Sequence, residues 1–162
     1  MRILAPFGSA ELGGSQLFFL KTAELLSDVI EFRVWLSADG PFREELERRS
    51  VPVEVWKGAS WKNPASWPKV ISALQREKPD LVYLHATRLL ALLCRYCRIP
   101  CLERINMTRR WESGGWMRFP FVDRVMTSFN THILAVSEAI ASQLRHNGTP
   151  ARKITVVRNH VE

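Results

Sequence analysis

The residues best placed to do chemistry in this chain stand at the ends of short apolar runs. The first run, 2–7, leads into Gly8-Ser9-Ala10-Glu11-Leu12-Gly13-Gly14-Ser15. Gly13 and Gly14 let a backbone approach a ligand closely, and the free N–H groups of a helix start favour an anion. A diphosphate or a sugar suits such a loop, and so does a plain flexible loop with Ser15 as the helix N-cap. The glycine pair alone does not separate the two readings. His85 ends another run, 80–84, at an edge where it could touch substrate hydroxyls or simply pack as a strand end. Ser137 and Glu138 directly follow the run 132–136. Helix capping and a first-turn acid are enough to explain both.

Other chemistries are excluded by spacing. Gly8 and Gly13 are too far apart for a G-x-G-x-x-G fingerprint. Asp39 lies where a dinucleotide enzyme places its ribose acid, but Asp39-Gly40-Pro41 reads more simply as a turn into a helix. There is no P-loop. Cys94 and Cys97 form a C-x-x-C spacing with Cys101 close behind. A redox pair sits at a helix start, whereas these fall late in a helical pattern, and no fourth ligand with zinc spacing follows. Reduced, buried or half-buried thiols are expected, with no bound metal.

The elements that must position these residues alternate regularly. Strands are predicted over 2–7, 31–36, 51–55, 80–84, 100–105, 132–136 and 153–157. Helices are predicted over 15–27, 41–49, from Asn63-Pro64 toward Glu77, over 88–97, from about 117 to 130, and after Ser137. This order predicts right-handed βαβ units: an α/β, doubly wound, mainly parallel Rossmann-like sheet flanked by helices. In such sheets ligands bind beyond the carboxyl ends of the strands, near the topological switch point.

A chain of 162 residues suits one domain, 1–162. Its 46% apolar and 24% charged residues are those of a soluble globular protein. No run approaches the roughly 18 apolar residues of a membrane span, and the opening Met1–Gly8 is too short and broken for a signal peptide. A cytoplasmic location is expected. The net charge of +7 is uneven, since seven arginines from Arg88 to Arg118 face only Glu103 and Glu112. A basic patch of that kind attracts phosphate on a nucleotide, a nucleic acid or an anionic membrane.

Several segments together resemble the GT4 glycosyltransferase family. Met1-Arg2-Ile3-Leu4 followed by Gly13-Gly14-Ser15 is similar to its opening strand and Gly-Gly loop. The segments 36–42, 46–53 and 78–85 resemble its next strands and helix, and 133–138 and 153–162 resemble the two that close its amino-terminal domain. The resemblance implies one half of a GT-B fold, in which this acceptor-side domain faces a donor-binding domain lying carboxyl-terminal to these residues. It further implies that Gly13 and Gly14 lie near the donor phosphates and transferred sugar. His85 would belong to the catalytic centre, near that sugar's hydroxyls, and Ser137 and Glu138 would line the acceptor side. No metal or other cofactor is implied beyond the nucleotide-sugar co-substrate. Helix-end dipoles and basic side chains neutralise the departing diphosphate, and front-face attack needs no protein nucleophile. By the same resemblance the isolated chain is expected to be inactive.

Two positions depart from the family pattern. Where it often has a histidine near the end of strand five, this chain has Glu103-Arg104-Ile105-Asn106. Where it ends the domain in Asn-Gly, this chain has Asn159-His160, which lacks the permissive glycine.

The segment 108–119 mixes Arg109, Arg110 and Arg118 with Trp111 and Trp116. Arginine forks bind phosphate and carboxylate, and tryptophan suits sugar faces and membrane interfaces. It reads as a grip on a phosphorylated or lipid-linked acceptor, as a contact with an anionic membrane surface, or as a loop whose tryptophans pack. In the leading reading Asn106, Arg109 and Arg110 face the acceptor. Trp56, Trp61 and Trp67 form a second aromatic group, expected to be a packing cluster. No nucleic-acid motif is present, so no nucleic-acid partner is expected. The rival readings are a stand-alone, non-catalytic module for an anionic ligand, and a nicotinamide-dependent enzyme, which the missing fingerprint disfavours.

Overall fold

Strand and helix alternate along the chain as the patterning predicts. The computed structural model describes residues 1–56, 61, 63–85, 87–106 and 120–158. In chain order the elements are β1 (Arg2–Phe7), α1 (Gly14–Leu25), β2 (Glu31–Leu36), α2 (Pro41–Arg48), β3 (Val53–Val55), α3 (Trp67–Glu77), β4 (Leu81–His85), α4 (Arg88–Tyr96), β5 (Cys101–Ile105), α5 (Pro120–Ser128), β6 (His132–Ala135), α6 (Glu138–His146) and β7 (Ile154–Val156). The seven strands lie in the order β3-β2-β1-β4-β5-β6-β7, and every pairing is parallel. The order reverses between β1 and β4, which makes the sheet doubly wound with its switch point at that pair.

Both faces of the central strands are covered, which is why β1 reads as a continuous apolar run. Ile3, Ala5, Phe7, Val34 and Leu36 pack under α1 and α2, meeting Phe19, Leu20, Phe42 and Leu46. Leu4, Trp35, Val82 and Leu84 face the other way, onto Val70 and Leu74 of α3 and Leu90 and Leu93 of α4. On the far side Ile133 and Ala135 of β6 pack with Ile140, Ala141 and Leu144 of α6. Trp56 and Trp61 are buried in this core, Trp56 against Trp35 with ring centroids 4.6 Å apart, so the tryptophan group is indeed packing.

Several local expectations are corrected. The N-cap of α1 is Gly13 and not Ser15, whose Oγ instead donates to Gln16 Oε1 at 2.9 Å inside the first turn. Asn63 does cap, accepting from Ala65 N at 3.1 Å, but the turn it opens is a 3-10 segment, Pro64–Ser66, and α3 begins only at Trp67. The third strand is shorter than 51–55. Val51 N donates to Leu46 O at 2.9 Å, which makes it part of the closure of α2, and Pro52 has no N–H to give a ladder. The helix predicted from 117 ends at Ser128, and 117–119 lie outside the described residues. Cys94 and Cys101 are buried and Cys97 half-buried, all three as free thiols.

One polar cluster sits inside the apolar layer. Glu103, 1% exposed, accepts from Arg88 Nε at 2.8 Å and from Asn130 Nδ2 at 2.6 Å. Arg88 is the first residue of α4, Glu103 is central in β5, and Asn130 follows α5. The cluster therefore joins three elements. A cation in the first turn of a helix opposes the dipole, and the Glu103 carboxylate offsets it. Removing one partner of a buried pair leaves a charge stranded and costs about 3–5 kcal/mol. Glu103→Leu is expected to lower the unfolding free energy by about that amount in urea titrations, and Arg88→Met/Glu103→Leu to recover a large part of it. Equal losses in the single and double variants would contradict a coupled pair.

Candidate functional site

The switch point fixes which residues meet. In the ladder of β1 and β4, Phe7 pairs with His85, so both side chains stand at the carboxyl edge of the sheet where α1 begins. Their rings lie 5.9 Å apart. Behind Phe7 lies an aromatic wall, with Phe19 at 5.1 Å and Phe42 at 5.0 Å in edge-to-face contact. Such packing is stiff and leaves the imidazole little freedom on that side.

On the other side of His85 stands Arg104, its partner in the β4–β5 ladder. Arg104 is 4% exposed. Its guanidinium carbon lies 3.9 Å above the Phe18 ring of α1, and the group is close enough to the Tyr83 hydroxyl to act on it. Burial pushes the Tyr83 hydroxyl up to about 12, against the opposing pull of Arg104. Burial, and then the charge of Arg104, bring His85 down to about 4. His85 is therefore a neutral imidazole at neutral pH. Its Nδ1 is buried, and among the described residues it has no hydrogen-bond partner.

The glycine loop closes the third side. Gly13 accepts from Leu17 N at 3.0 Å to start α1, which leaves the N–H groups of Gly14, Ser15 and Gln16 without an intrahelical partner. A Cβ added at Gly14 would meet nothing within 4 Å, whereas one at Gly13 would come 3.1 Å from Gln16 Oε1. The first turn of α1 thus carries no side-chain cap, and the side of Gly14 where a Cβ would stand is open.

The remaining candidates are less closely gathered. Asn106 is exposed just beyond β5. Ser137 accepts from Ile140 N at 3.3 Å as the N-cap of α6, and Glu138 accepts from Arg145 at 3.2 Å. Their geometry is that of a capped helix start. Arg109 and Arg110 lie outside the described residues. The arginine-rich stretch is not a single patch. Arg88 and Arg104 are buried, while Arg95 and Arg98 line a depression at the opposite, amino-terminal edge with Asn130 and Lys153. Asp39 accepts from Gly40 N at 3.0 Å and from Arg43 at 2.9 Å, the arrangement of a turn into α2. Sequence reasoning missed Arg104 and Tyr83 as members of the site. The available signal was a pair of charged residues, Glu103 and Arg104, inside a strand flanked by apolar residues.

The doubly wound parallel sheet is Rossmann-like, and it matches one half of GT-B glycosyltransferases. The model of glycosyltransferase family 4 matches residues 12–162, and the chain belongs to that family. None of the curated proteins matches it. Among solved structures, Anabaena Alr3699/HepE in complex with UDP and glucose superposes with a TM-score of 0.80 at 23% identity, over 100% of this chain and 45% of that one. A glycosyltransferase from Rickettsia africae gives 0.70 at 15% identity, over 99% and 43%. UDP-GlcNAc 2-epimerase from Neisseria meningitidis, bound to UDP-GlcNAc, gives 0.68 at 19%, over 96% and 45%. The chain thus spans less than half the length of each, and these likenesses establish the fold. No described helix is long and apolar enough to cross a membrane.

The depressed titration of His85 has a sign. The unfolded chain binds a proton near the ordinary value of 6.5 while the folded one waits until about 4, so this residue removes stability as pH falls through that window. The stability of wild type relative to His85→Gln is expected to decline between those two values, read as the difference in Tm at each pH. Parallel curves would contradict a buried neutral imidazole.

Proposed function

We propose that this chain is the acceptor-side, amino-terminal domain of a retaining, metal-independent glycosyltransferase. It passes a hexose from a nucleotide-sugar donor to a glycan or lipid-linked acceptor in polysaccharide biosynthesis. The single observation that carries the reading is the unpartnered Nδ1 of a neutral His85 at the switch point, on the sheet edge where the uncapped helix α1 begins. A neutral imidazole both donates and accepts, which matches a sugar hydroxyl. The amides at Gly14 and Ser15 suit the diphosphate and the charge that develops on it. The nucleotide in the Anabaena and Neisseria complexes supports a uridine-linked donor.

In this reading the bond from the anomeric carbon to the diphosphate breaks while the acceptor oxygen attacks from the same face. The acceptor proton passes to the departing phosphate oxygen, and no side chain forms a covalent intermediate. The donor is held mainly by a second, carboxyl-terminal domain outside these 162 residues, so this chain alone turns over little or no donor. Asn106, Arg109, Arg110, Ser137 and Glu138 face the acceptor. The arginine and tryptophan segment 108–119 meets an acceptor phosphate or the anionic cytoplasmic face of the membrane.

The test uses the full-length protein with UDP-glucose and a saccharide acceptor. His85→Ala is expected to lower kcat on the order of a hundredfold, as loss of one preorganised hydrogen-bonding group does, while EDTA leaves the rate unchanged. The product anomer, read by proton NMR, is expected to keep the donor configuration. Full turnover in His85→Ala, or an inverted product, would overturn the assignment.

A further inference from the structure

His85 is flanked across the β4–β5 ladder by a buried arginine. We propose that Arg104 is a positioning residue for His85: held between the Phe18 ring and the Tyr83 hydroxyl, its guanidinium seats the neighbouring imidazole as an uncharged, hydroxyl-reading group. The ligand half of this statement rests on the proposed function; the electrostatic half does not.

Arg104 and His85 are ladder partners in adjacent parallel strands, so their side chains leave the same face of the sheet side by side. Arg104 does not lean outward to a ligand. It is 4% exposed, stacks 3.9 Å above Phe18, and reaches back to Tyr83, one step deeper on the same face of β4. A flat guanidinium can stack and donate at once. Finally, the fixed charge faces an imidazole whose other neighbour is the Phe7 ring at 5.9 Å, itself backed by Phe19 of α1. Among the described residues Arg104 is the charge that acts on His85.

The chemical consequence concerns ligand class. An imidazolium donates from both nitrogens and accepts from neither, so it reads anions. A neutral ring keeps an acceptor nitrogen, and Nδ1 of His85 is buried with no partner among the described residues. Beside Arg104 the ring can therefore take a sugar hydroxyl in either sense, while a carboxylate or phosphate finds no second donor on it.

The experiment is an NMR titration of the His85 ring nitrogens in this 162-residue chain, from neutral pH downward, with amide spectra reporting the fold. Wild type is expected to stay neutral until about pH 4. Arg104→Gln and Arg104→Met are expected to raise the titration by on the order of one unit, with burial still holding it below the free value. The methionine variant keeps an apolar contact on Phe18 and guards against simple loss of fold. Arg104→Lys keeps the charge and is expected to stay near wild type. A titration unmoved in the glutamine and methionine variants, or displaced as far by lysine as by glutamine, would overturn the inference. The readout is a ring titration and not turnover, so it is decided whether or not the transferase reading holds.

Discussion

A carboxylate taken out of water must be matched by donors or it unfolds the layer that holds it. Glu103 meets that demand with Arg88 and Asn130, at 2.8 and 2.6 Å, and the arrangement of the sheet's middle follows. Because residues alternate across a strand, fixing Glu103 toward α4 sends Leu102 and Arg104 to the opposite face. A slip of one residue would turn Arg104 into the α4 layer and strand both charges. The pairing of Arg104 with His85 at the site thus depends on an ion pair on the other side of the sheet.

The site face is built of stiffer and plainer material. Phe7, Phe19 and Phe42 meet edge to face, and Tyr83 lies over Phe19 with centroids 6.1 Å apart. This aromatic block lies under the start of α1 and gives His85 and the Gly13-Gly14 loop a common base. Among the described residues His85 and Arg104 each have an aromatic neighbour that limits their motion. A scaffold of this kind holds the groups on it without needing them to reorganise.

Much of this was legible in the sequence because the two periodicities are strong. The apolar run of β1, the charged face of α2 and the strand-helix alternation are enough to predict the doubly wound sheet, and the switch-point rule then singles out His85 and the loop after β1. The points that were not legible share one cause: they depend on which residues become neighbours across the ladder. Nothing local in Glu103-Arg104 says that the first pairs with Arg88 and the second with Tyr83 and Phe18. The same limit made the arginines of 88–118 look like one basic patch, when Arg88 and Arg104 point to opposite faces of the interior. The N-cap misassignment at Ser15 is of a different kind. Serine is the better capping residue, but Gln16 competes for its hydroxyl and Gly13 takes the position.

The central claim is that saccharide chemistry takes place at the carboxyl edge between β1 and β4. A crystal structure of the full-length protein with UDP-glucose tests it most directly. A hexose hydroxyl is expected within about 3 Å of a His85 ring nitrogen, with the diphosphate against the amides at Gly14 and Ser15. A sugar bound away from this edge, for instance in the amino-terminal depression lined by Arg2, Arg33 and Arg76, would contradict it.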